Sequence, residues 1–147
     1  MKKGFLVFLC CAFAIVFFPS GLRSQGVPWW NNNWAYRIPV TFSLPSGAAA
    51  ISGETVDIEG VNLAHLINTG KMKMEGADIR LVDDQGQEIP YVLENYQNDC
   101  GQDMIWFRLD RLNRGGEGRT FYLYFGNPSA PKPSYTWDDI SSPNSLL

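Results

Sequence analysis

A reactive centre needs chemically able side chains in combination, and this sequence is poor in them. It holds one histidine, His65, between Ala64 and Leu66. Paired with a serine and an aspartate it would make a formal triad, but no G-x-S-x-G elbow places a nucleophile. A structural or surface role is therefore expected for His65. Zinc needs three or four His, Cys or carboxylate ligands, and His65 with the remote Cys100 does not supply them. The remaining stock is carboxylate: Asp78, Asp83, Asp84, Glu88 and Glu94 around one predicted hairpin, with Asp138 and Asp139 further on. A glycosidase sets two carboxyls about 5 Å or roughly 6.5–9.5 Å apart in a cleft. Any acidic hairpin can reach such spacings, and a single small domain has little room for a deep cleft. No catalytic residue is assigned, and a carboxylate-dependent glycoside hydrolase stands as the third reading. Calcium at Asp83-Asp84-Gln85-Gly86 is an alternative use of the same oxygens. The spaced D-x-D-x-D-G pattern is absent, however, so a solvated acidic turn is expected, with no metal site and no cofactor.

Binding chemistry is better represented. "VPWWNNNW" (27–34) places Trp29, Trp30 and Trp34 beside three asparagines. Sugar C–H faces stack on flat indoles while sugar hydroxyls seek amides, so this is the composition of a glycan-binding surface. The competing account is that the tryptophans cover one end of the domain or contact another domain, since exposing them all is costly. Trp34 is expected in the core. Trp29 and Trp30 are the candidate contacts, together with Tyr122 and Tyr124 from "RTFYLYF" (119–125). In that stretch Phe121, Leu123 and Phe125 occupy one face and Thr120, Tyr122 and Tyr124 the other. Either both faces are buried, by a cross-strand partner such as Trp106, or the tyrosines form a platform. Asp78 and Arg80, two apart in "GADIRLVD" (76–83), either pair across the sheet with Arg108 or Arg37 or frame a polar ligand.

These residues must be positioned by strands. "NNNWAYRIPVTFSLPSG" (31–47) alternates Trp34, Tyr36, Ile38, Val40, Phe42 and Leu44 against a polar face. Pro39 cannot donate to a ladder, which predicts an edge strand or a bulge. "ETVDI" (54–58) predicts a short strand and "VNLAHLINTG" (61–70) one helical turn. Residues 76–96 read as a hairpin turning at Asp83–Gly86, with Ile89, Tyr91 and Leu93 alternating on the return and Pro90 again marking an edge or bulge. "DMIWFRLDRL" (103–112) supplies another strand. Short strands joined by Gly, Asn, Asp and Pro, with little helical periodicity, predict an all-β fold: an antiparallel β-sandwich, jelly-roll-like.

The N-terminus has a separate reading. Lys2 and Lys3 precede the apolar run 4–18, and Pro19, Ser20 and Gly21 break it. This is the anatomy of a secretory signal, short of the roughly 20 apolar residues of a membrane span. Residues 1–24 are assigned to the signal, 25–134 to the β-sandwich domain and 135–147 to a tail or truncated linker. The chain is expected to be exported to the periplasm, cell surface or extracellular space, and to meet a membrane only if the first segment stays uncleaved. Removing that segment takes Lys2, Lys3 and Arg23 and leaves nine basic against fifteen acidic side chains, a net charge of −6. An acidic domain is a poor partner for nucleic acid or anionic lipid. Cys10 and Cys11 also leave, so Cys100 has no internal disulfide partner and is expected as an inert thiol in a polar loop.

Four stretches, "WAYRIPVT" (34–41), "GADIRLVD" (76–83), "IWFRL" (105–109) and "YLYFGNPSA" (122–130), together resemble an uncharacterised bacterial extracellular family, a domain of unknown function. Its members open with W-x-Y-R, carry G-x-D-I-R-F and close with Y-x-Y-Y-G-N; Phe125 stands where tyrosine is usual. The resemblance implies an all-β, non-catalytic accessory module. Such modules commonly sit beside laminin-G or concanavalin-like sandwiches, or in proteins with a proton-channel module of the biopolymer-transport type. The expectation is an exported binding module, not an enzyme, for glycan or another cell-envelope component. The alternative is a structural or assembly domain that contacts a neighbouring β-sandwich domain.

Overall fold

The computed structural model describes residues 27–94, 104–112 and 118–141. Residues 1–24, read as a signal, and Cys100 lie outside them.

Strand β1 (Tyr36–Phe42) pairs antiparallel with β7 (Arg119–Phe125), β7 with β3 (Arg80–Val82), and β3 with β4 (Glu88–Ile89). A second antiparallel sheet runs β2 (Glu54–Ile58), β6 (Met104–Leu109), β5 (Tyr91–Glu94). The inner faces supply one core: Phe121, Leu123 and Phe125 from β7, Leu81 from β3, Ile105, Phe107 and Leu109 from β6, and Tyr91 from β5. Phe107 meets Phe121 edge-on across the layers at 4.9 Å, where ring quadrupoles favour a tilted contact. This is the expected antiparallel β-sandwich.

Prolines act where predicted. Pro39 lies on the edge strand β1, facing Tyr122. Pro90 separates β4 from β5, so one continuous stretch leaves the first sheet and enters the second. A proline has no N–H to continue the ladder, and the chain changes partner there. The inward parity survives the change: Ile89 faces Leu81, and two residues on Tyr91 faces Phe107. The predicted hairpin is thus half a hairpin and half a crossover. That bend joins the sheets along one side of the sandwich and leaves β1 and β2 as the edges of the other.

Helix α1 (Leu63–Asn68) forms where one turn was expected, capped by Asn62 Oδ1, which accepts from the His65 N–H at 2.7 Å. Leu63 is its buried residue, and His65 is exposed. The stretch read as a tail is folded as far as Ser141. Thr136 and Asp139 form a capping box on α2 (Trp137–Ile140), Ile140 is fully buried, and Thr55 Oγ1 donates to the Ile140 carbonyl at 2.9 Å. Trp106, expected beside Tyr122 or Tyr124, lies in the other sheet. It stands 6.0 Å from Trp137 and donates its indole N–H to Glu94 at 2.9 Å.

Candidate functional site

The outward side chains of the four-stranded sheet form two rows. Arg37, Tyr124 and Arg80 stand side by side across β1, β7 and β3, and Pro39, Tyr122 and Val82 form the next row. An outer face with two tyrosines and a valine needs a cover, and the segment before β1 provides it. Asn31 turns that segment: its Oδ1 accepts from the Asn33 N–H and its carbonyl from the Trp34 N–H. The turn folds the indoles back onto the sheet. Trp30 lies 5.0 Å from Trp34 and 5.5 Å from Tyr124, and Trp29 meets Tyr124 edge-on at 5.4 Å. Trp34, Val82, Tyr124 and Ala130 make a second core, flanked by Trp30 and Tyr122. Trp34 is buried as predicted, but on the outer side of the sheet. The chain enters β1 only at Tyr36, so the alternation does not extend back to Trp34. The strand with rings on both faces is explained: one face meets the inner core, the other this second one.

Arg37 fills the gap between Trp29 and Tyr122. Its guanidinium lies 4.9 Å from the Trp29 ring centre and 4.8 Å from that of Tyr122. It also donates to the Val27 carbonyl at 3.1 Å and to the Tyr124 hydroxyl at 3.2 Å. The Trp29 indole N–H donates to the Trp34 carbonyl at 3.0 Å, which fixes that ring although the residue stays 39% exposed. The result is a Trp29–Arg37–Tyr122 stack, each cation–ring contact of the kind that contributes about 0.5–2 kcal/mol.

Asp78 and Arg80 stand differently from expectation. Asp78 precedes β3 and is 1% exposed. Its Oδ1 accepts from the Lys73 N–H at 2.9 Å, and its Oδ2 from the Gly126 and Asn127 N–H groups at 2.7 and 3.0 Å. Its carbonyl accepts from the Trp34 indole at 2.6 Å. A single carboxylate therefore ties the turn before β3 to the Gly-Asn-Pro exit of β7 and to the aromatic cover. Arg80 donates to the Ile79 and Pro131 carbonyls, pairs with Glu88 at 3.2 Å and lies against Trp34 at 5.4 Å. The expected pairing with Arg37 or Arg108 is replaced because backbone N–H groups and Glu88 are the nearer partners. Arg108 belongs to β6, in the other sheet.

The acidic turn is also engaged. Asp83 Oδ1 accepts from the Gln85 and Gln87 N–H groups, and the Arg119 guanidinium lies 3.8 Å from both Asp83 and Asp84. A cation at the calcium position would have to displace that arginine. Among the described residues no cluster of three His, Cys, Asp or Glu could hold a metal, and no helix is long and apolar enough to cross a membrane.

Four of the six predicted residues, Trp29, Trp30, Tyr122 and Tyr124, are brought together. Trp29 is exposed, Trp30 and Tyr122 are half-buried, and Tyr124 is buried beneath them. Asp78 and Arg80 form the frame behind. Arg37, Gly126 and Asn127 were not singled out as site residues. Arg37 left a local signal as the charged residue on the polar side of β1, and Gly126 and Asn127 as the Gly-Asn of the closing motif.

Fold and site together define an antiparallel β-sandwich with an aromatic, arginine-bridged outer face. Residues 75–141 match the family described as Domain of unknown function (DUF2341). The matched range contains the 76–83, 105–109 and 122–130 stretches and begins after 34–41. No curated protein and no solved structure shows a significant match to the chain.

Proposed function

We propose that this chain is a non-catalytic exported module that binds glycan or another component of the cell envelope through the Trp29–Arg37–Tyr122 face. The observation that supports this reading is Trp29, kept 39% exposed while its indole is tied to the Trp34 carbonyl and its neighbour Arg37. A ring ordered before binding loses little entropy when a sugar stacks on it. Exposed Asn32 and Asn33 follow it in the same loop and carry amides suited to hydroxyls. The apolar run at the N-terminus supports export. Pull-down of the purified chain by insoluble cell-wall and plant polysaccharides tests the reading. Retention is expected for the wild type and is expected to drop at least tenfold for Trp29→Ala. Equal retention of both proteins would remove the face from consideration.

A second reading is favoured by Trp137, 45% exposed against Trp106 on the opposite sheet. Such a ring suits contact with a neighbouring domain, as in the structural alternative. Light scattering of the chain mixed with candidate partner domains separates the two readings.

A further inference from the structure

A cleft of about 260 Å³ opens where the start of β1, the turn after α1 and the exit of β7 meet. Tyr36, Lys71, Met72, Lys73, Asp78 and Gly126 are among its lining residues. We propose that this cleft, separate from the Trp29 face, takes one carboxylate-bearing sugar unit of an acidic glycan. The proposal rests on the reading of the chain as a glycan binder and adds a second subsite with a charge preference.

Three features carry it. The first is a platform. Tyr36 is stacked on Phe125 with ring centres 5.3 Å apart and planes 24° from parallel, yet stays 42% exposed. One ring face is thus buttressed by the core while the residue remains available to solvent. The second is charge. Lys71 and Lys73 both line the cleft of a domain that is acidic overall. The Lys73 ammonium spends one donor on the Ala130 carbonyl at 2.9 Å, and Lys71 is exposed. Asp78, the lining carboxylate, has both oxygens taken by backbone N–H groups, which leaves the lysines to set the character of the opening. The third is rigidity and size. Gly126 has φ +86°, and a Cβ there would meet Tyr36 Cδ2 at 2.6 Å, so the wall is held against the platform by a residue that only glycine fits. A volume of about 260 Å³ is below the roughly 300–1,000 Å³ of pockets that engulf larger ligands, and suits a single ring. In this arrangement the sugar C–H face rests on Tyr36 and its carboxylate meets Lys71, with Lys73 alongside.

The experiment is a titration of the purified chain with trigalacturonate and with the neutral galactose trisaccharide, read by amide chemical shifts. Trigalacturonate is expected to shift the Lys71 and Gly126 amides and to bind at least fivefold more tightly than the neutral sugar. Lys71→Gln is expected to abolish that preference and Tyr36→Ala to lose both ligands at this cleft. Lys71 is an exposed side chain, so Lys71→Gln remains informative if Tyr36→Ala does not fold. No shift with trigalacturonate, equal affinity for the two sugars, unchanged binding by Lys71→Gln, or full competition by inorganic phosphate would each overturn the proposal. Failure of the Trp29 face is distinguishable, because it removes Trp29-dependent polysaccharide retention and leaves these amide shifts in place.

Discussion

Asp78→Asn changes one atom type and should cost far more than a surface substitution. The carboxylate accepts three backbone N–H bonds at 2.7–3.0 Å with 1% exposure, so water cannot replace it. Asparagine offers one oxygen. Turned toward Gly126 and Asn127, it keeps those two donors satisfied but points its own NH2 at the Lys73 N–H. One charge-assisted bond, about 1.5–3 kcal/mol, is lost, and a buried donor is left facing another donor. We expect a net loss of about 3 kcal/mol, a large share of the roughly 5–15 kcal/mol that holds a domain together. With a urea slope of about 1.5 kcal/mol/M, the unfolding midpoint should fall by about 2 M. Asp84→Asn, on an exposed residue 3.8 Å from Arg119, serves as control and should stay within about 0.5 kcal/mol of wild type. Equilibrium unfolding followed by tryptophan fluorescence measures both. A midpoint within about 0.3 M of wild type for Asp78→Asn would refute the assignment of Asp78 as the tie between the two turns.

Two further outcomes follow from the same packing. Gly126→Ala should destabilise by about 1–3 kcal/mol and lower the melting temperature by several degrees, because it forces a side chain into positive φ and against the Tyr36 ring. Burial pushes the Tyr91 hydroxyl well above its ordinary value of 10.0, and that hydroxyl donates to the Ile79 carbonyl at 2.8 Å. Above pH 10 the unfolded chain releases this proton while the folded chain retains it, so stability falls as pH rises, by at most about 1.4 kcal/mol per unit. Tyr91→Phe should have a shallower alkaline decline in urea-unfolding midpoints between pH 9 and 11; an equally steep decline would show that Tyr91 is not its source.

How much of this was legible in the sequence divides by range. Alternation in 36–42, 104–109 and 119–125 marked inner faces correctly, because each strand has a dry side that repeats every second residue. The edge position of Pro39 followed from its missing donor. Partner choice was not legible. Ile89, Tyr91 and Leu93 keep one parity across Pro90, so nothing local reveals that the stretch changes sheets. Trp106 and Tyr122 looked like cross-strand neighbours for the same reason: periodicity gives the face and not the layer. The aromatic cluster left two separate signals, tryptophans crowded into 29–34 and tyrosines on the outward side of 119–125. Asp78 was misplaced because a carboxylate beside an arginine reads as a surface pair, whereas its partners are backbone N–H groups, two of the three about fifty residues away, which have no side-chain signature.

In the proposed function Trp29 is the ring that meets the ligand. Its most direct test follows the five tryptophan indole N–H resonances of the chain while a retained polysaccharide fragment is added. The Trp29 signal should move with saturable dependence on ligand, with the Trp106 and Trp137 signals unchanged. Movement of the Trp106 or Trp137 signals with Trp29 stationary, or no movement with any retained fragment, would contradict the account.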